Sequence, residues 1–148
     1  MDLHGVTLLD SNSSPVYIPL TVAQALPNLE ELDVSDSTFS EVQLSSSSVL
    51  RKLNLSNTNI RTLTYSNQPM LEELIIDGCT SLETISLSDC PKLRSITVPS
   101  SVKTIFLGNC ESIESLRASY TGSSRIISNL SSVTVTACPG LKIVDLQG

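Results

Sequence analysis

The chain has 148 residues, a formal net charge of −6, no Trp, two Phe and three Tyr. That length suits one domain, and the acidic balance excludes a nucleic-acid partner, whose phosphates call for a basic patch. No stretch approaches the roughly 18 consecutive apolar residues of a membrane span, so membrane insertion is excluded and a core must be assembled from Leu, Ile and Val.

Taken in chain order, residues 1–5 (Met-Asp-Leu-His-Gly) lack the basic stretch and apolar run of a signal peptide. From there one apolar triplet recurs thirteen times: a large apolar residue, two others, an apolar residue, one other, and a third apolar residue. The triplets start at Leu3, Ser13, Leu29, Phe39, Leu50, Ile60, Leu71, Leu82, Leu93, Val102, Ile113, Leu130 and Leu141. Only Ser13 breaks the first position. Steps are 9 to 11 residues except for two, of 16 and 17. Two triplets therefore make a period of about 21, and periods of 20–50 residues belong to solenoids. Each triplet ends apolar-x-apolar, as in Leu32-Asp33-Val34, Leu53-Asn54-Leu55 and Ile85-Ser86-Leu87. This is the signature of a short strand with one buried face. Odd and even triplets thus predict two parallel sheets on opposite sides of one coil. Serine runs such as residues 45–48 fall between triplets and read as small residues in tight turns.

The segments Leu29-Glu-Glu-Leu-Asp-Val-Ser, Leu50-Arg-Lys-Leu-Asn-Leu-Ser and Leu71-Glu-Glu-Leu-Ile-Ile-Asp resemble the strand segment of leucine-rich repeats. The resemblance covers essentially the whole chain. Pro27, Pro69, Pro91 and Pro139 stand two residues before first-family triplets, where the family ends its returning segment, which implies that the first family forms the concave sheet. The implied fold is an α/β-class but predominantly β solenoid: a right-handed coil of about six 21-residue turns, with strands or extended segments on the convex side. The family's usual Asn after the strand is replaced by Ser37, Thr58, Cys79 and Thr121. Strand-like convex triplets make the chain most similar to short, cysteine-containing bacterial internalin-type repeats, with plant disease-resistance repeats second.

Residues 1–148 read as a single solenoid, and the bare last triplet suggests a segment of a longer array or ends covered by a partner or a second copy. Two insertions are expected, at about 19–28 and 119–129. Residues 20–26 of the first include good helix formers and predict one or two helical turns stopped by Pro27.

Stacking places equivalent positions about 4.8 Å apart. The second position of the concave triplets reads His4, Glu30, Arg51, Glu72, Arg94, Glu114, Lys142, an alternation from Glu30 onward that supports strand pairing. The central strand column reads Thr7, Asp33, Asn54, Ile75, Thr97, Arg117, Asp145. It alternates in nothing, and self-stacking does not account for it. Asp33, Asn54, Ile75, Thr97, Arg117 and Asp145 are therefore the candidate partner-binding residues. The convex equivalents Tyr17, Gln43, Thr64, Ser86, Phe106 and Thr134 are blander.

Cys90, Cys110 and Cys138 share one offset after convex triplets, and Cys79 has it after a concave one. They read as an inward ladder of small apolar residues with weak thiol donors; a disulfide between stacked neighbours stays open. Without a Cys-x-x-Cys pair or a neighbouring His, no metal site is expected. The sole His stands at the chain end, no Gly-rich phosphate loop is present, and Glu30-Glu31 and Glu72-Glu73 lie on an open face. No catalytic residue and no cofactor are expected. The function expected is non-enzymatic protein recognition through the concave sheet. A structural spacer or adhesin stalk of a cell-surface protein, or a glycan-binding surface, are the alternatives. A secreted or cell-surface setting is favoured over the cytoplasm, and end-to-end self-association is expected if the ends are uncapped.

Overall fold

A computed structural model of the protein describes residues 1, 2, 5, 28–44, 49–119 and 129–146, and the backbone of 18–22. Twelve strands follow one another: β1 (Ile18–Val22), β2 (Glu31–Asp33), β3 (Phe39–Leu44), β4 (Lys52–Asn54), β5 (Thr62–Ser66), β6 (Glu73–Ile75), β7 (Thr84–Ser88), β8 (Ser95–Val98), β9 (Thr104–Gly108), β10 (Ser115–Ala118), β11 (Ser132–Thr136) and β12 (Ile143–Asp145). Every ladder is parallel and joins a strand to the next but one. Even strands line one face and odd strands the other, as the two triplet families require. The predominantly β solenoid is what forms. Its α/β label narrows to all-β among the described residues, because about 21 residues hold two strands and two turns and leave no room for a helix of ordinary length.

Leu29, Leu50, Leu71, Leu93 and Ile113 open successive turns 21, 21, 22 and 20 residues apart. About four regular turns are formed, where six were expected. The difference lies at both ends: Leu141 follows Ile113 by 28 residues, and at the N-terminal end the triplet register differs from the expected one. Asp2 bridges Asp33, the place assigned to Thr7, and Asp33 N donates to Met1 O. Gly5 N donates to Ser35 O just as Asp36 N donates to Ser56 O. Likewise Leu20 pairs with Val42 and Val22 with Leu44, so the second triplet ends at Leu20 and Val22 rather than at Val16 and Ile18. Ser13 broke the rule because it does not belong to the column. Of the helical turns expected within residues 20–26, the first three residues are corrected to strand, since Ile18, Thr21 and Val22 are β-branched and extend a sheet, and residues 23–26 lie outside the described residues. Extra residues therefore fall between Gly5 and Ile18. Of the second expected insertion, Ser119 is buried in the fold and residues 120–128 lie outside the described residues, as do His4, Thr7, Tyr17 and Thr121.

The core is a stack of like on like. Leu53 pairs with Leu74 and Leu32 with Leu53 on one side; Leu63, Ile85, Ile105 and Val133 align on the other. Leu50, Leu53, Leu55, Leu71, Ile85, Leu87, Leu93 and Leu116 are at most 1 % exposed. Truncating any of them to Ala costs about 2–5 kcal/mol in a close-packed interior.

Two features of the turns went unread in the sequence. Two residues after most of the described triplets the backbone enters the left-handed region, at Asp36, Asn57 and Gly78 on one edge and at Asn67, Asp89, Asn109 and Ala137 on the other. Asn and Asp tolerate that conformation better than other side chains, and the columns bond to themselves: Asn57 Nδ2 donates to Asp36 Oδ1 (3.0 Å) and Asn109 Nδ2 to Asp89 Oδ1 (2.8 Å). Gly78 is needed where Asn57 leans in, since a Cβ there would lie 1.9 Å from Asn57 Oδ1.

The next residue along points inward and donates to a turn carbonyl. Ser37 Oγ bonds Val34 O, Thr58 Oγ1 bonds Leu55 O (2.7 Å) and Gln68 Nε2 bonds Ser66 O (3.2 Å). The cysteines hold the same place: Cys79 Sγ reaches Leu55 O (3.0 Å), Cys90 Sγ reaches Ser88 O, Cys110 Sγ reaches Gly108 O and Cys138 Sγ reaches Thr136 O. The thiols thus belong to two columns of small donors, Cys79 with Ser37 and Thr58 on one edge and Cys90, Cys110 and Cys138 with Gln68 on the other, and each adds a second donor to a turn carbonyl that already accepts a backbone N–H. All four thiols are free. Gly108 closes β9 beneath Phe106, whose ring a Cβ would meet at 3.1 Å.

Each sheet is interrupted once. The even face divides into β2-β4-β6 and β8-β10-β12, and the odd face into β1-β3 and β5-β7-β9-β11. The even seam coincides with the 22-residue turn. At the odd seam Tyr65 Oη donates to Val42 O (2.8 Å), so a side chain replaces the missing ladder partner.

Candidate functional site

All six candidate residues stand on the even face in one column: Asp33, Asn54 and Ile75 in register, then, across the seam, Thr97, Arg117 and Asp145. They do not form one equivalent set. Asp33 and Asn54 are engaged locally. Asn54 Nδ2 donates to Asp33 Oδ2 (3.0 Å), Asp33 Oδ1 accepts from Ser35 N (2.9 Å) and Ser35 Oγ (2.5 Å), and Asn54 Oδ1 accepts from Ser56 N (3.1 Å) and Ser56 Oγ (2.7 Å). These are Asx turns that fold the chain out of the strand, so two of the six have a structural occupation that the triplet pattern could not show.

Ile75 breaks that series and has no polar atom to close its turn. In its place Asp77 Oδ1 accepts from Ser119 Oγ (3.2 Å), 42 residues away and two turns up the coil. The intervening link is the shortest in the molecule, with only residues 99–101 between Val98 and Val102, so the flanking turns meet across it. Beneath this clasp the seam between β6 and β8 opens a groove of about 180 Å³ lined by Glu72, Glu73, Ile75, Asp77, Ser95 and Thr97. Ile75 is half-buried on its wall, while Thr97, Arg117 and Asp145 are exposed. Arg117 lies beside Asp145 in the ladder, yet it makes no ion pair among the described residues.

The charge ladder beside this column closes in part. Arg51 meets Glu72 at 3.2 Å and Lys142 meets Glu114 at 3.8 Å. Glu72 raises the Arg51 pKa through its hydrogen bond and charge. Two pairs that the sequence reading missed add to it: Lys52 with Glu73 (3.1 Å) and, on the odd face, Lys103 with Glu83 (2.9 Å). They were legible as one-turn repeats of opposite charge in neighbouring columns. All are at least partly exposed, and each contributes about 0–1 kcal/mol.

The odd face is chemically uniform. The twelve alternate positions of β5, β7, β9 and β11 hold six Thr and four Ser besides Phe106 and Gly108, and none is charged. Exposed Thr suits a pleated surface without further reason. A larger groove, about 850 Å³, lies at the odd seam among Glu41, Gln43, Asn59, Arg61, Thr62 and Thr64. Its polar groups are already paired in part, Gln43 Nε2 to Glu41 Oε1 (2.9 Å) and Ser81 Oγ to Asn59 Oδ1 (2.5 Å). Among the described residues no three His, Cys, Asp or Glu side chains converge as a metal site would need. No family model, no curated protein and no solved structure matches the chain.

Proposed function

We propose that the chain is a leucine-rich-repeat-type, non-enzymatic recognition module that binds another protein across its even, concave face, centred on Ile75, Thr97, Arg117 and Asp145. The observation that carries this reading is the change along one column. Its first two members are tied to each other and to their turns, whereas the next four present an apolar, a hydroxyl, a cationic and an anionic group in sequence. An open seam lies at the apolar one. A half-buried apolar anchor with an unpaired Arg nearby is the composition of an interface hot spot. Asp33 and Asn54 leave the proposed contact set, because their polar atoms hold turns.

The rival reading, a spacer or stalk, predicts indifference to this column. Wild-type protein, an Ile75→Ala/Arg117→Ala pair and a Thr64→Ala/Thr134→Ala pair on the odd face are each used to retrieve partners, with bound species measured by surface plasmon resonance. A protein lost at least 10-fold by the first pair and retained by the second supports recognition through the even face. Equal binding by all three favours the spacer.

A further inference from the structure

The two faces of the coil differ in charge. Half of the outward positions on the even strands are charged: Glu31, Asp33, Lys52, Glu73, Arg117 and Asp145. The outward positions of β5, β7, β9 and β11 carry no charge, in a chain of net charge −6. Threonine alone needs no reason there. The missing charge does, and so does Phe106, the one large apolar side chain among those positions. Its ring leans along β9 until Cε1 and Cζ lie over Gly108, 3.1 and 3.2 Å from where a Cβ would stand, and it remains half-buried. Ser86 and Thr134 flank Phe106 in register, and Ser88 and Thr136 flank Gly108. The same column runs back from Phe106 through Ser86 to Thr64, on the wall of the groove at the odd seam.

We infer that the odd face binds a neutral, linear polysaccharide laid across the strands from the seam groove to Phe106. This site is separate from the protein contact proposed for the even face and does not depend on it. Three observations select that ligand. The first is charge complementarity. The acidic molecule repels a polyanion, and the uncharged columns offer a polycation no partner. A neutral ligand loses least here, because hydroxyls cost less to desolvate than ions. The second is the setting of Phe106. A pyranose carries C–H groups on its ring faces and hydroxyls around its rim. The Phe106 ring matches the former, and the hydroxyls of Ser86, Ser88, Thr134 and Thr136, which both donate and accept, match the latter. A side chain in place of Gly108 would push that ring off the strand. The third is the groove of about 850 Å³, whose size suits a bound organic ligand. Arg61, on its wall, makes no ion pair among the described residues. Its guanidinium and the Glu41 carboxylate are planar forks, each able to hold two neighbouring sugar hydroxyls. Thr64 and Phe106 stand two ladder steps apart, about 10 Å at about 4.8 Å per step. A single sugar does not span that distance, so a ligand that uses both the groove and the ring is a chain of sugars.

Retention of the full chain on insoluble cellulose, chitin and β-1,3-glucan, beside an acidic alginate gel, tests this. Calorimetric titration with soluble oligosaccharides of the retained polymer then measures affinity against length. The variants are Phe106→Ala and Arg61→Ala on the odd face and an Ile75→Ala/Arg117→Ala pair on the even one. Far-UV circular dichroism verifies that each keeps its fold, and Arg61 is exposed, so its loss leaves the core untouched. The expected result is a wild type held by at least one neutral polymer, with affinity that grows from the single sugar to the longer oligomers. Each odd-face variant should raise the dissociation constant by roughly 10-fold or more, as loss of a central contact does, and the even-face pair should leave it unchanged. No retention on any neutral polymer, retention on alginate alone, affinity independent of length, or an affinity that either odd-face variant leaves unchanged would each overturn the proposal.

Discussion

At the scale of single residues, the molecule depends on a position that hydrophobic patterning does not register. Two residues after most of the described triplets the chain turns through a left-handed backbone conformation, and the non-glycine residues that adopt it there are Asp36, Asn57, Asn67, Asp89, Asn109 and Ala137. A Cβ-bearing residue without a short polar side chain costs about 1–2 kcal/mol there. Ala137 is the one member of the set with neither compensation, and it sits directly after Asn109 in its column. Ala137→Asn is therefore expected to stabilise the protein by about 1 kcal/mol, by relieving that conformation and letting its amide reach Asn109 as Asn109 reaches Asp89. Ala137→Gly gains less, since glycine adds entropy to the unfolded chain. Urea unfolding checks this: the midpoint rises in the order Ala, Gly, Asn at constant slope. An unchanged or lowered midpoint for Asn would mean that the column does not select its residues for backbone geometry.

At the scale of elements, the strands were legible and their interruptions were not. Leu53, Ile85 and Leu116 announce their strands because period-two alternation is a direct consequence of the pleat. The register of the first two triplets was misread because Leu3, Val6 and Leu8 satisfy the same pattern as the column, and only the pairing of Asp2 with Asp33 decides between them. The candidate column was legible as a row, but which members are free was not. That depends on Asx turns at Asp33 and Asn54, set by a serine two residues on, a signal present in Asp33-x-Ser35 and Asn54-x-Ser56 but absent after Ile75. The seam between β3 and β5 depends on Tyr65, whose burial raises the phenol pKa above its ordinary value, with Glu41 adding to the shift. The sign follows: below pH 10 both states keep the proton, and above it the unfolded chain ionises while the folded one does not. Stability is thus complete below about pH 10 and falls as pH rises beyond it, by up to about 1.4 kcal/mol per unit. Tyr65→Phe should lose about 1 kcal/mol at neutral pH with the bond to Val42 O, and its unfolding midpoint should fall less steeply above pH 10. Parallel pH slopes for the two proteins would place the alkaline sensitivity elsewhere.

At the scale of the whole molecule, a coil in which each turn touches only its neighbours does not open all at once. Its stability is a sum of turns and interfaces, and opening begins at an uncovered end. The four thiols are placed to report this: Cys138, Cys110 and Cys90 stand in successive turns from the last described one, and Cys79 shares the turn of Cys90. Cys138 is half-exposed, and burial holds its pKa up, while Cys79, Cys90 and Cys110 are fully buried. Burial also raises Cys79. Cys90 is raised by its hydrogen bond to Cys110 and by burial, and the same bond holds Cys110 down, at about 7, against its own burial. Exposure and position rank the sites: Cys138 is half-exposed, and Cys110 lies nearer to it along the coil than Cys90 does. In excess thiol reagent, modification should proceed as Cys138, then Cys110, then Cys90, with Cys79 slowest, each read by peptide mass spectrometry. One common rate for the three buried thiols would show that only global unfolding exposes them, and the picture of progressive opening would fail.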